Sequence, residues 1–418
     1  MTEFPFQLVL GTVLALPTAY LMVVSAYLLV ICIGAWLYRP EADYDASPMR
    51  VALLVPAHNE AAHLPALIAS AQQLRYPRDR FDLFIIADNC TDKTAEIARQ
   101  EGAHVFERHD LDHRGKGPAL DWALKTQAEI FSQYDAISLV DADMHIDPEF
   151  LRELAASLAV PGVEVVQALN TVAHPENNWR TALGFAGFAV VNHVRPAGRC
   201  WLGGTGELKG SGMAFRAPLL LRYGWPSHAL AEDVEFAKML FLDGIRVQYN
   251  PRALVTSEIP TQRSQIKVQQ QRWERGKLDL FRRYAPRLSW HFLRHPSVAN
   301  LDALLDILVP PQSVLALTYL SAAALSLLVH PLWTALLVAC LTADALCIAS
   351  GLLLTRAPLR IWLYLGAVPL LLLWKLRFYL RLLFTRHEGG WQRTPRDGEV
   401  AGAGKETQGT AETAGTDE

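Results

Sequence analysis

Residues 136–145 read AISLVDADMH, an apolar run that ends at two carboxylates one residue apart. A short run of this kind is typical of a strand buried in the core of a sheet. The two carboxylates, Asp141 and Asp143, follow the strand directly, and a turn there can direct both side chains to one site. The stretch therefore predicts a buried strand with an acidic site at its carboxyl end.

Strands and helices alternate in the residues before this stretch. The predicted strands cover residues 51–56, 81–87 and 104–107, and the predicted helices cover residues 61–74, 94–102 and 118–131. This alternation predicts an α/β fold with a doubly wound, mostly parallel sheet. In such sheets, ligands bind beyond the carboxyl ends of the strands.

Polar residues fall at that edge of the predicted sheet. Glu60 follows the first strand, Asp88 follows the second, and Asp141 and Asp143 follow the fourth. Paired carboxylates suit Mg²⁺ or Mn²⁺, ions that keep several water ligands and bind substrate phosphates. A capped turn before Pro148 is the competing interpretation of the acidic pair. The position of the pair at the ligand-binding edge favours the metal site.

Composition divides the chain of 418 residues into a soluble part and two apolar parts. Hydrophobic residues make up 51% of the chain and are concentrated in residues 6–37 and 313–384. Residues 38–296 have the mixed composition of a soluble globular domain. The net charge of -3 does not suggest a nucleic-acid partner. The five cysteines lack metal-ligand spacing and indicate a reducing compartment.

The N-terminal apolar run predicts a retained membrane anchor. It lacks the positive residues that begin a secretory signal, and it passes into residues 36–40 (WLYRP), an aromatic and basic flank typical of the membrane interface. Arg39 and Arg50 follow the run and no Lys or Arg precedes it, so the positive-inside rule places the soluble domain in the cytoplasm. The chain is thus predicted to be an integral protein of the inner or plasma membrane.

Four segments follow from this division. They are an N-terminal transmembrane anchor at residues 1–40, a cytoplasmic domain with an interfacial helix at residues 41–296, a C-terminal transmembrane region at residues 297–386, and a cytoplasmic or disordered tail at residues 387–418. Within the third segment, the pattern predicts a helical hairpin bent at residues 330–331 and a further apolar stretch over residues 359–384.

The number of C-terminal crossings stays open from sequence. Three crossings would leave Lys375 and Arg377 outside the cell, against the charge rule. Either the rule is broken, or residues 303–309 also enter the bilayer, or the last apolar stretch lies at the interface with its basic face toward lipid headgroups. Asp344, within an apolar run, is interpreted as a residue that hydrogen-bonds between helices or lies near the membrane interface, rather than as a catalytic residue.

Six short motifs occur in the order found in one enzyme family. They are residues 55–60 (VPAHNE), 87–92 (ADNCTD), 114–117 (RGKG), 140–143 (VDAD), 232–233 (ED) and 269–273 (QQQRW). Together they resemble the membrane-bound family 2 glycosyltransferases, in the branch of the cellulose, chitin, hyaluronan and poly-N-acetylglucosamine synthases, with ceramide glucosyltransferase as a relative. The resemblance covers about residues 51–276. It implies a GT-A fold that binds a nucleotide sugar, with a UDP-sugar as the expected donor.

The resemblance assigns a base pocket to residues after the first two strands. It implies that Asp88 hydrogen-bonds the base and that Ala57 and Glu60 line the pocket. A carboxylate suits the imide N–H of uracil, which lies between two carbonyl acceptors. The alternative for Asp88 is a turn or a helix cap before Thr94, and Asp92 competes for that cap.

The same resemblance implies how the diphosphate of the donor is held. Asp143 would be the direct ligand of Mg²⁺ or Mn²⁺, and Asp141 would contact the ribose or the water shell of the ion. Lys116, flanked by glycines that let backbone approach a ligand, would lie near the base or the diphosphate. Arg272 would pair with the leaving diphosphate. The metal would then offset the charge of the departing group.

Asp233 is the catalytic base that the family pattern implies, with Glu232 in support. A hydroxyl nucleophile loses its proton as it attacks the anomeric carbon, and a positioned carboxylate can accept that proton. Direct displacement by the acceptor inverts the anomeric centre. The alternative is that both carboxylates only stabilise the first turn of a helix predicted over residues 234–242.

The acceptor side is assigned to two further segments. Gly210 and Ser211 belong to a glycine-rich stretch that would let a sugar approach the backbone. Gln269 and Trp273 would face the acceptor from a helix predicted over residues 262–280. A basic amphipathic helix resting on the membrane predicts the same charge pattern.

These assignments predict a membrane-integral, metal-dependent, inverting hexosyltransferase. The preferred product is a growing polysaccharide, because the C-terminal helices could form a channel. The alternative is transfer of one sugar to a membrane lipid such as ceramide or a polyprenyl phosphate. The predicted partners are a nucleotide-sugar donor, a glycan or lipid acceptor, membrane lipids and an accessory export subunit, and no nucleic acid.

Overall fold

The centre of the molecule is an eight-stranded sheet. The computed structural model describes residues 3–225, 231–258 and 263–384, so the predicted tail lies outside the described residues. The strands are β1 (Val51–Ala57), β2 (Phe81–Asp88), β3 (His104–Arg108), β4 (Ala136–Leu139), β5 (Met144–Ile146), β6 (Val165–Val172), β7 (Met213–Arg216) and β8 (Val247–Ser257). Their order in the sheet is β3-β2-β1-β4-β7-β6-β8-β5.

The first half of the sheet is parallel, as predicted. β1 pairs in parallel with both β2 and β4, and β2 pairs in parallel with β3. β7 is antiparallel to both β4 and β6, so the sheet as a whole is mixed. Because β1, β2 and β4 point the same way, the residues that follow them meet at one edge of the sheet.

Helices cover the sheet and form the apolar part of the chain. The first set is α1 (Glu3–Leu37), α2 (Leu64–Gln72), α3 (Thr94–Gln100), α4 (Lys116–Thr126), α5 (Ala128–Phe131), α6 (Phe150–Ala159), α7 (Trp179–Phe188), α8 (Arg195–Trp201), α9 (Ala217–Tyr223) and α10 (Glu232–Leu242). The second set is α11 (Arg263–Arg294), α12 (Val298–Leu308), α13 (Gln312–Ser326), α14 (Pro331–Leu354), α15 (Leu359–Tyr364) and α16 (Val368–Phe384). A π-helical turn, Ala189–Val194, joins α7 to α8.

Both faces of the sheet are buried, which explains the continuous apolar runs of its strands. In β1, Leu53 and Val55 belong to the core under α2 and α6, whereas Ala52 and Leu54 belong to the core under α4 and α10. Successive side chains of a strand point to opposite faces. Each strand therefore contributes to two hydrophobic layers, as expected for a sheet with helices on both sides.

Helix α11 is longer than predicted. The sequence pattern predicted a helix over residues 262–280, and the structure continues it to Arg294, with Pro286 inside. Leu280, Tyr284 and Leu288, spaced by four residues, are buried against α10 and α12. The tertiary contacts of this stripe extend the helix past the predicted end.

Several helices meet the length and apolarity of a membrane span. Among the residues that the structure describes, three do so alone, Leu14–Leu37, Pro331–Leu354 and Leu359–Leu380. A fourth span results if Val298–Leu308 and Gln312–Ser326, bent by 74°, are counted together. The predicted break between the two hairpin helices is confirmed, because α13 ends at Ser326 and α14 begins at Pro331.

The N-terminal helix packs tightly on the sheet domain. A Cβ atom on Gly198 of α8 would lie 2.1 Å from the carbonyl oxygen of Ile31, and one on Gly34 would lie 2.7 Å from the ring of Trp201. Only a residue without a side chain allows this approach. α1 and α8 thus touch backbone to backbone, and α1 is part of the same packed unit as the sheet domain.

The helices α1, α13 and α14 pack on each other through buried side chains. Leu21 of α1, Leu315 and Tyr319 of α13 and Leu337 of α14 belong to one hydrophobic cluster. The hydroxyl groups of Ser25 and Tyr319 lie 2.6 Å apart within it. The space between these three helices is therefore filled by their own side chains.

Candidate active site

A cleft of about 2400 Å³ opens beyond the carboxyl ends of β1, β2 and β4 and continues between the apolar helices. Twelve of the thirteen residues assigned from sequence line it. They are Ala57, Glu60, Asp88, Lys116, Asp141, Asp143, Gly210, Glu232, Asp233, Gln269, Arg272 and Trp273. These residues, which lie between positions 57 and 273, are brought to one cavity by the carboxyl edge of the parallel strands and by α10 and α11.

Ser211 is the exception among the assigned residues. Its side chain is fully buried, and its hydroxyl accepts a hydrogen bond of 3.0 Å from the backbone amide of Asp141. The assignment of Ser211 to acceptor binding is therefore corrected. The hydroxyl instead fixes the turn after β4 that presents the first carboxylate of the acidic pair.

Lys116 joins the turn after β4 to the glycine-rich loop. Its ammonium group contacts the carboxylate of Asp141 and the carbonyl oxygen of Gly210. Gly115 precedes it with φ +120°, a conformation that favours glycine, and so α4 begins at the lysine. Burial works against the charge of Lys116, but Asp141 and the nearby Glu232 outweigh burial and raise the pKa of the ammonium group.

Glu232 and Asp233 begin helix α10. Burial raises the pKa of Glu232 to about 7, with Asp233 adding to the shift and Lys116 opposing it. Burial also raises the pKa of Asp233, while the amide of Val234 and Lys116 oppose that shift. A Cβ atom on Gly210 would lie 3.5 Å from Oδ2 of Asp233, so the loop passes close to this carboxylate. We call Asp141, Asp143, Glu232 and Asp233 the cleft acids.

Asp88 is held by an ion pair that sequence reasoning did not anticipate. Its Oδ1 accepts hydrogen bonds from Arg108 at 2.6 Å and from the side chain of Asn89 at 3.0 Å. Asp92, and not Asp88, bonds the start of α3, where its Oδ1 accepts the amide of Thr94 at 2.9 Å. Asp88 is therefore free of the capping role and lines the cleft. The alternation of charge along β3 and the loop after it was the only signal for Arg108.

The acidic pair after β4 fits a divalent cation. Both Asp141 and Asp143 line the cleft. The described residues hold no group of three or more His, Cys, Asp or Glu side chains that could enclose an ion by themselves. Mg²⁺ is usually bound by one or two carboxylates together with substrate phosphates and water, so two carboxylates are a sufficient protein share.

Helix α11 supplies one wall of the cleft. Gln269, Arg272 and Trp273 all line it, and the ring of Trp273 lies 6.2 Å from the ring of Phe188. Arg272 lies close enough to Glu232 to lower the pKa of that carboxyl in part. Spacing of three and four residues places the three side chains on one helix face, as predicted.

A second polar group, which we call the charge cluster, lies behind α10. It contains three cations and three carboxylates, all of them at most 14% exposed: Arg195, Arg199, Lys238, Glu207, Asp302 and Asp306. Arg199 Nη1 lies 2.8 Å from Oδ2 of Asp306, and Lys238 Nζ lies 3.2 Å from the same oxygen. Sequence reasoning missed this cluster, since its members come from four separate segments.

Comparison with known proteins gives one family match and several relatives. The sequence profile of the family described as glycosyltransferase like family 2 matches residues 48–276. Beta-monoglucosyldiacylglycerol synthase of Nostoc sp. (strain PCC 7120) is 30% identical over 256 residues, which are 58% of this chain and 53% of that protein. Probable glucomannan 4-beta-mannosyltransferase 9 of Oryza sativa subsp. japonica is 26% identical over 269 residues, 61% of this chain and 50% of that protein. The chain spans about half the length of the curated relatives it matches.

Several solved structures are similar to large parts of the chain, and one of them is described here as an example. It is mannosyltransferase PcManGT of Pyrobaculum calidifontis in complex with GDP-Man and Mn²⁺, at 19% identity and a TM-score of 0.46. The similarity covers 85% of this chain and 99% of that one.

Proposed function

Because the chain belongs to the glycosyltransferase-like family 2, we propose that it transfers a sugar from a nucleotide sugar to an acceptor at a membrane. The observation that carries the proposal is the convergence of the four cleft acids in one cleft that continues between apolar helices. The nucleotide binds beyond β1 and β2, where Ala57, Glu60 and Asp88 line the cleft. The acceptor enters from the apolar end.

Asp233 accepts the proton of the attacking hydroxyl in this proposal. It begins α10 and lines the cleft, and burial raises the pKa of its carboxyl, which makes the carboxylate a stronger base than an exposed aspartate. Attack opposite to the leaving diphosphate inverts the anomeric centre. Glu232 lies beside it, and burial raises the pKa of Glu232 to about 7. Near neutral pH the two carboxyl groups therefore exchange protons as a coupled pair.

Two cationic side chains bind the leaving diphosphate, and the acidic pair would act on it through a bound metal ion. Lys116 is fixed by Asp141 and the Gly210 carbonyl, so little motion is needed for it to contact a phosphate. Arg272 approaches from α11, where its planar group suits a diphosphate. Asp141 and Asp143 would hold Mg²⁺ or Mn²⁺, and such an ion supplies charge neutralisation to the departing group.

We infer that the acceptor is a membrane lipid rather than a growing polysaccharide, which reverses the preference drawn from sequence. The space between α1, α13 and α14 is filled by buried side chains such as Leu315 and Leu337, and this argues against a channel between them. The cleft instead opens along α13, α14 and α16, where apolar acyl chains could lie. The Nostoc relative carries a lipid in its name, which supports the same choice.

The contacts of α15 and α16 support the interfacial placement of the last apolar stretch. Ile361 of α15 belongs to a cluster with Phe185 of α7, and Tyr379 of α16 donates to Glu274 of α11 at 3.1 Å. A helix that crossed the bilayer would leave the domain at one end. In the proposed arrangement the domain is cytoplasmic, α1 and the α13–α14 hairpin cross, and α15–α16 lie along the membrane surface.

A panel of labelled nucleotide sugars tests this function. The full chain in detergent, supplied with Mg²⁺ or Mn²⁺ and mixed lipids, is expected to yield a single labelled product that extracts into organic solvent. Asp143→Ala is expected to abolish the product while binding of the donor persists. A polymer ladder in the aqueous phase would contradict the lipid acceptor, and retained turnover in Asp143→Ala would contradict the site.

A further inference from the structure

Three cations line the end of the cleft that α11, α13, α14 and α16 form, and the reaction proposed above does not use them. We call them the inner cations and define them as Lys277 of α11 and Lys375 and Arg377 of α16. Two carboxylates, Glu274 of α11 and Asp344 of α14, line the same end. Three cations and two carboxylates leave this end of the cleft with one positive charge in excess.

Lys277 lies on the inward face of α11. It follows Trp273 by four residues and precedes Leu280 by three, so the three side chains share one stripe of the helix. Trp273 and Leu280 both line the cleft, and Leu280 also belongs to the core against α10 and α12. The ammonium group of Lys277 is therefore directed into the cleft, from a stripe that otherwise carries apolar side chains.

This ammonium group has no close partner. Lys277 makes neither a hydrogen bond nor an ion pair with any residue in the described parts of the chain, and its side chain is open to the cleft. Protein surrounds it closely enough for burial to lower the pKa of Lys277, with Glu274 opposing that shift. A charge that the protein surrounds but does not pair indicates a ligand of opposite charge.

Glu274 is shared by two of the inner cations. Lys375 Nζ lies 3.8 Å from Oε1 of Glu274, and Lys277 is close enough for its charge to act on Lys375 as well. Asp344 is bonded instead by the side-chain amide of Gln312, as expected of a residue that bonds between helices. One carboxylate for two ammonium groups leaves a second anion favoured near Lys277 and Lys375.

The surroundings of the inner cations indicate an anion that belongs to a lipid. On one side, Leu370 and Leu373 of α16 line the cleft and remain exposed, which suits acyl chains. On the other side, the charge of Lys209 acts on both Lys277 and Asp233, so this lysine of the glycine-rich loop lies within range of both. Lys209 is itself paired with Glu207 at 2.6 Å, and it therefore leaves the anion to Lys277.

We propose that Lys277 and Lys375 bind the phosphodiester group of an anionic lipid acceptor whose head bears free hydroxyls. A phosphodiester carries one negative charge, which matches the excess at this end of the cleft, and ammonium groups are common phosphate ligands. The acyl chains lie along α16, and a hydroxyl of the head reaches past Lys209 to Asp233. This inference rests on the proposed function, and it adds the charge of the acceptor and the residues that recognise it.

Binding of three related molecules tests the site without requiring turnover. The full chain in detergent is titrated with dioctanoylphosphatidylglycerol, with dioctanoylglycerol, which lacks the phosphate, and with glycerophosphoglycerol, which lacks the acyl chains. Binding is followed by microscale thermophoresis. We expect dioctanoylphosphatidylglycerol to bind at least about ten-fold more tightly than either of the others, the effect of one hydrogen bond to a charged group. Equal affinity for dioctanoylglycerol would overturn the phosphate site, and equal affinity for glycerophosphoglycerol would overturn its assignment to a lipid.

Variants of Lys277 test the residue itself. Lys277→Met is expected to weaken binding of dioctanoylphosphatidylglycerol about ten-fold and to leave binding of dioctanoylglycerol unchanged, because only the phosphate is recognised by charge. Lys277→Arg, which keeps the charge, is expected to recover most of the affinity. Unchanged binding of dioctanoylphosphatidylglycerol by Lys277→Met would overturn the proposal.

Arg282→Met is the matched control. Arg282 is a cation of the same helix, is exposed, and lies outside the cleft. This variant is expected to bind dioctanoylphosphatidylglycerol as the wild type does. An equal loss of binding in Arg282→Met and Lys277→Met would reduce the effect to general attraction between a basic helix and an anionic lipid, and would overturn the site.

Kinetics separate this proposal from the proposed function. With the donor found in the panel, Lys277→Met is expected to raise KM for dioctanoylphosphatidylglycerol and to leave KM for the donor unchanged. Absence of any labelled lipid with every donor would refute the proposed function. Transfer to lipid with an unchanged acceptor KM in Lys277→Met would refute the present inference alone. A raised KM for the donor instead would place Lys277 at the leaving diphosphate and refute the inference as well.

Discussion

The charge cluster and the cleft acids lie near the same helix, α10, and they are built in opposite ways. The charge cluster contains three cations and three carboxylates. One of these carboxylates, Asp306, forms ion pairs with all three cations, Arg195, Arg199 and Lys238. Among the cleft acids, Lys116 pairs with Asp141, while burial raises the pKa of both Glu232 and Asp233. Negative charge is balanced within the first group and concentrated in the second.

This difference teaches how to separate structural from functional polar groups in a buried site. Removing one member of a balanced group leaves a buried charge without a partner, so stability is lost. Removing a carboxylate from an acid-rich group relieves repulsion, so stability is kept or gained while chemistry is lost. Substitutions at Asp233, Asp306, Glu232 and Asp92 test this division.

Asp233→Asn is expected to lower turnover by a factor of about 10²–10⁴, the usual contribution of a general base. Donor affinity and the melting temperature are expected to stay near those of the wild type. The comparison requires steady-state kinetics with a donor titration. Asp243→Asn, at the other end of α10, is the control, since the carboxylate of Asp243 accepts a hydrogen bond from Tyr223 at the surface. Equal activity of Asp233→Asn and the control would remove Asp233 from the mechanism.

Asp306→Asn is expected to destabilise the protein by about 3–5 kcal/mol, because it removes the buried negative charge that Arg195, Arg199 and Lys238 share. The side chain of Asp306 is 2% exposed, so water does not compensate. Denaturant unfolding in detergent measures the change. Asp279→Asn, which breaks an exposed pair with Arg283, serves as control and is expected to cost at most about 0.5 kcal/mol. Normal stability with lost turnover would place the charge cluster among the functional groups.

Glu232→Gln is expected to raise the melting temperature above pH 7, measured with a chelator present, by about 2–4 °C. The carboxyl ionises near 4.5 in the unfolded chain and near 7 in the folded protein. The folded protein therefore keeps a proton that the unfolded chain loses between these pH values. Above pH 7 Glu232 is ionised in both states, and its charge then lowers the free energy of unfolding to the full extent. The advantage of the variant should vanish as the pH falls to about 4.5. A difference independent of pH would contradict the electrostatic cause.

Asp92→Ala is expected to cost about 1 kcal/mol through loss of two hydrogen bonds to backbone amides and to leave turnover unchanged. Asp92 accepts the amides of Thr94 and Ala61, at 2.9 and 3.1 Å. Thermal unfolding and initial rates together measure both effects. Asp92→Asn, which keeps an oxygen acceptor, should recover most of the stability. A large loss of turnover would move Asp92 to the functional group.

The sheet edge that bears the cleft was largely predictable, because the sequence patterns that indicate it are local. The strands β1, β2 and β4 are continuous apolar runs, and the polar residues directly after them converge by the geometry of a parallel sheet. The predicted GT-A-type fold and the predicted enzyme family are confirmed by the family match over residues 48–276. The roles of the individual site residues stay predictions.

The remainder depends on contacts between distant parts of the chain. Arg199 and Asp302, 103 residues apart, gave no pattern in sequence, and neither did the antiparallel position of β7. Ser211 was misassigned because a glycine-rich motif indicates close approach of a ligand but not the direction of each side chain. Its burial follows from the packing of that loop under the turn after β4.

The backbone contact of α1 with α8 at Gly198 has a practical bearing on how this protein is prepared. Cleaving the chain after residue 40, to obtain a water-soluble fragment, would remove α1, the helix against which α8 packs. The apolar surface of α8 that contacts α1 would then be exposed. Such a fragment is expected to aggregate. Expression of the whole chain, with purification tags kept away from its first helix, suits this architecture better.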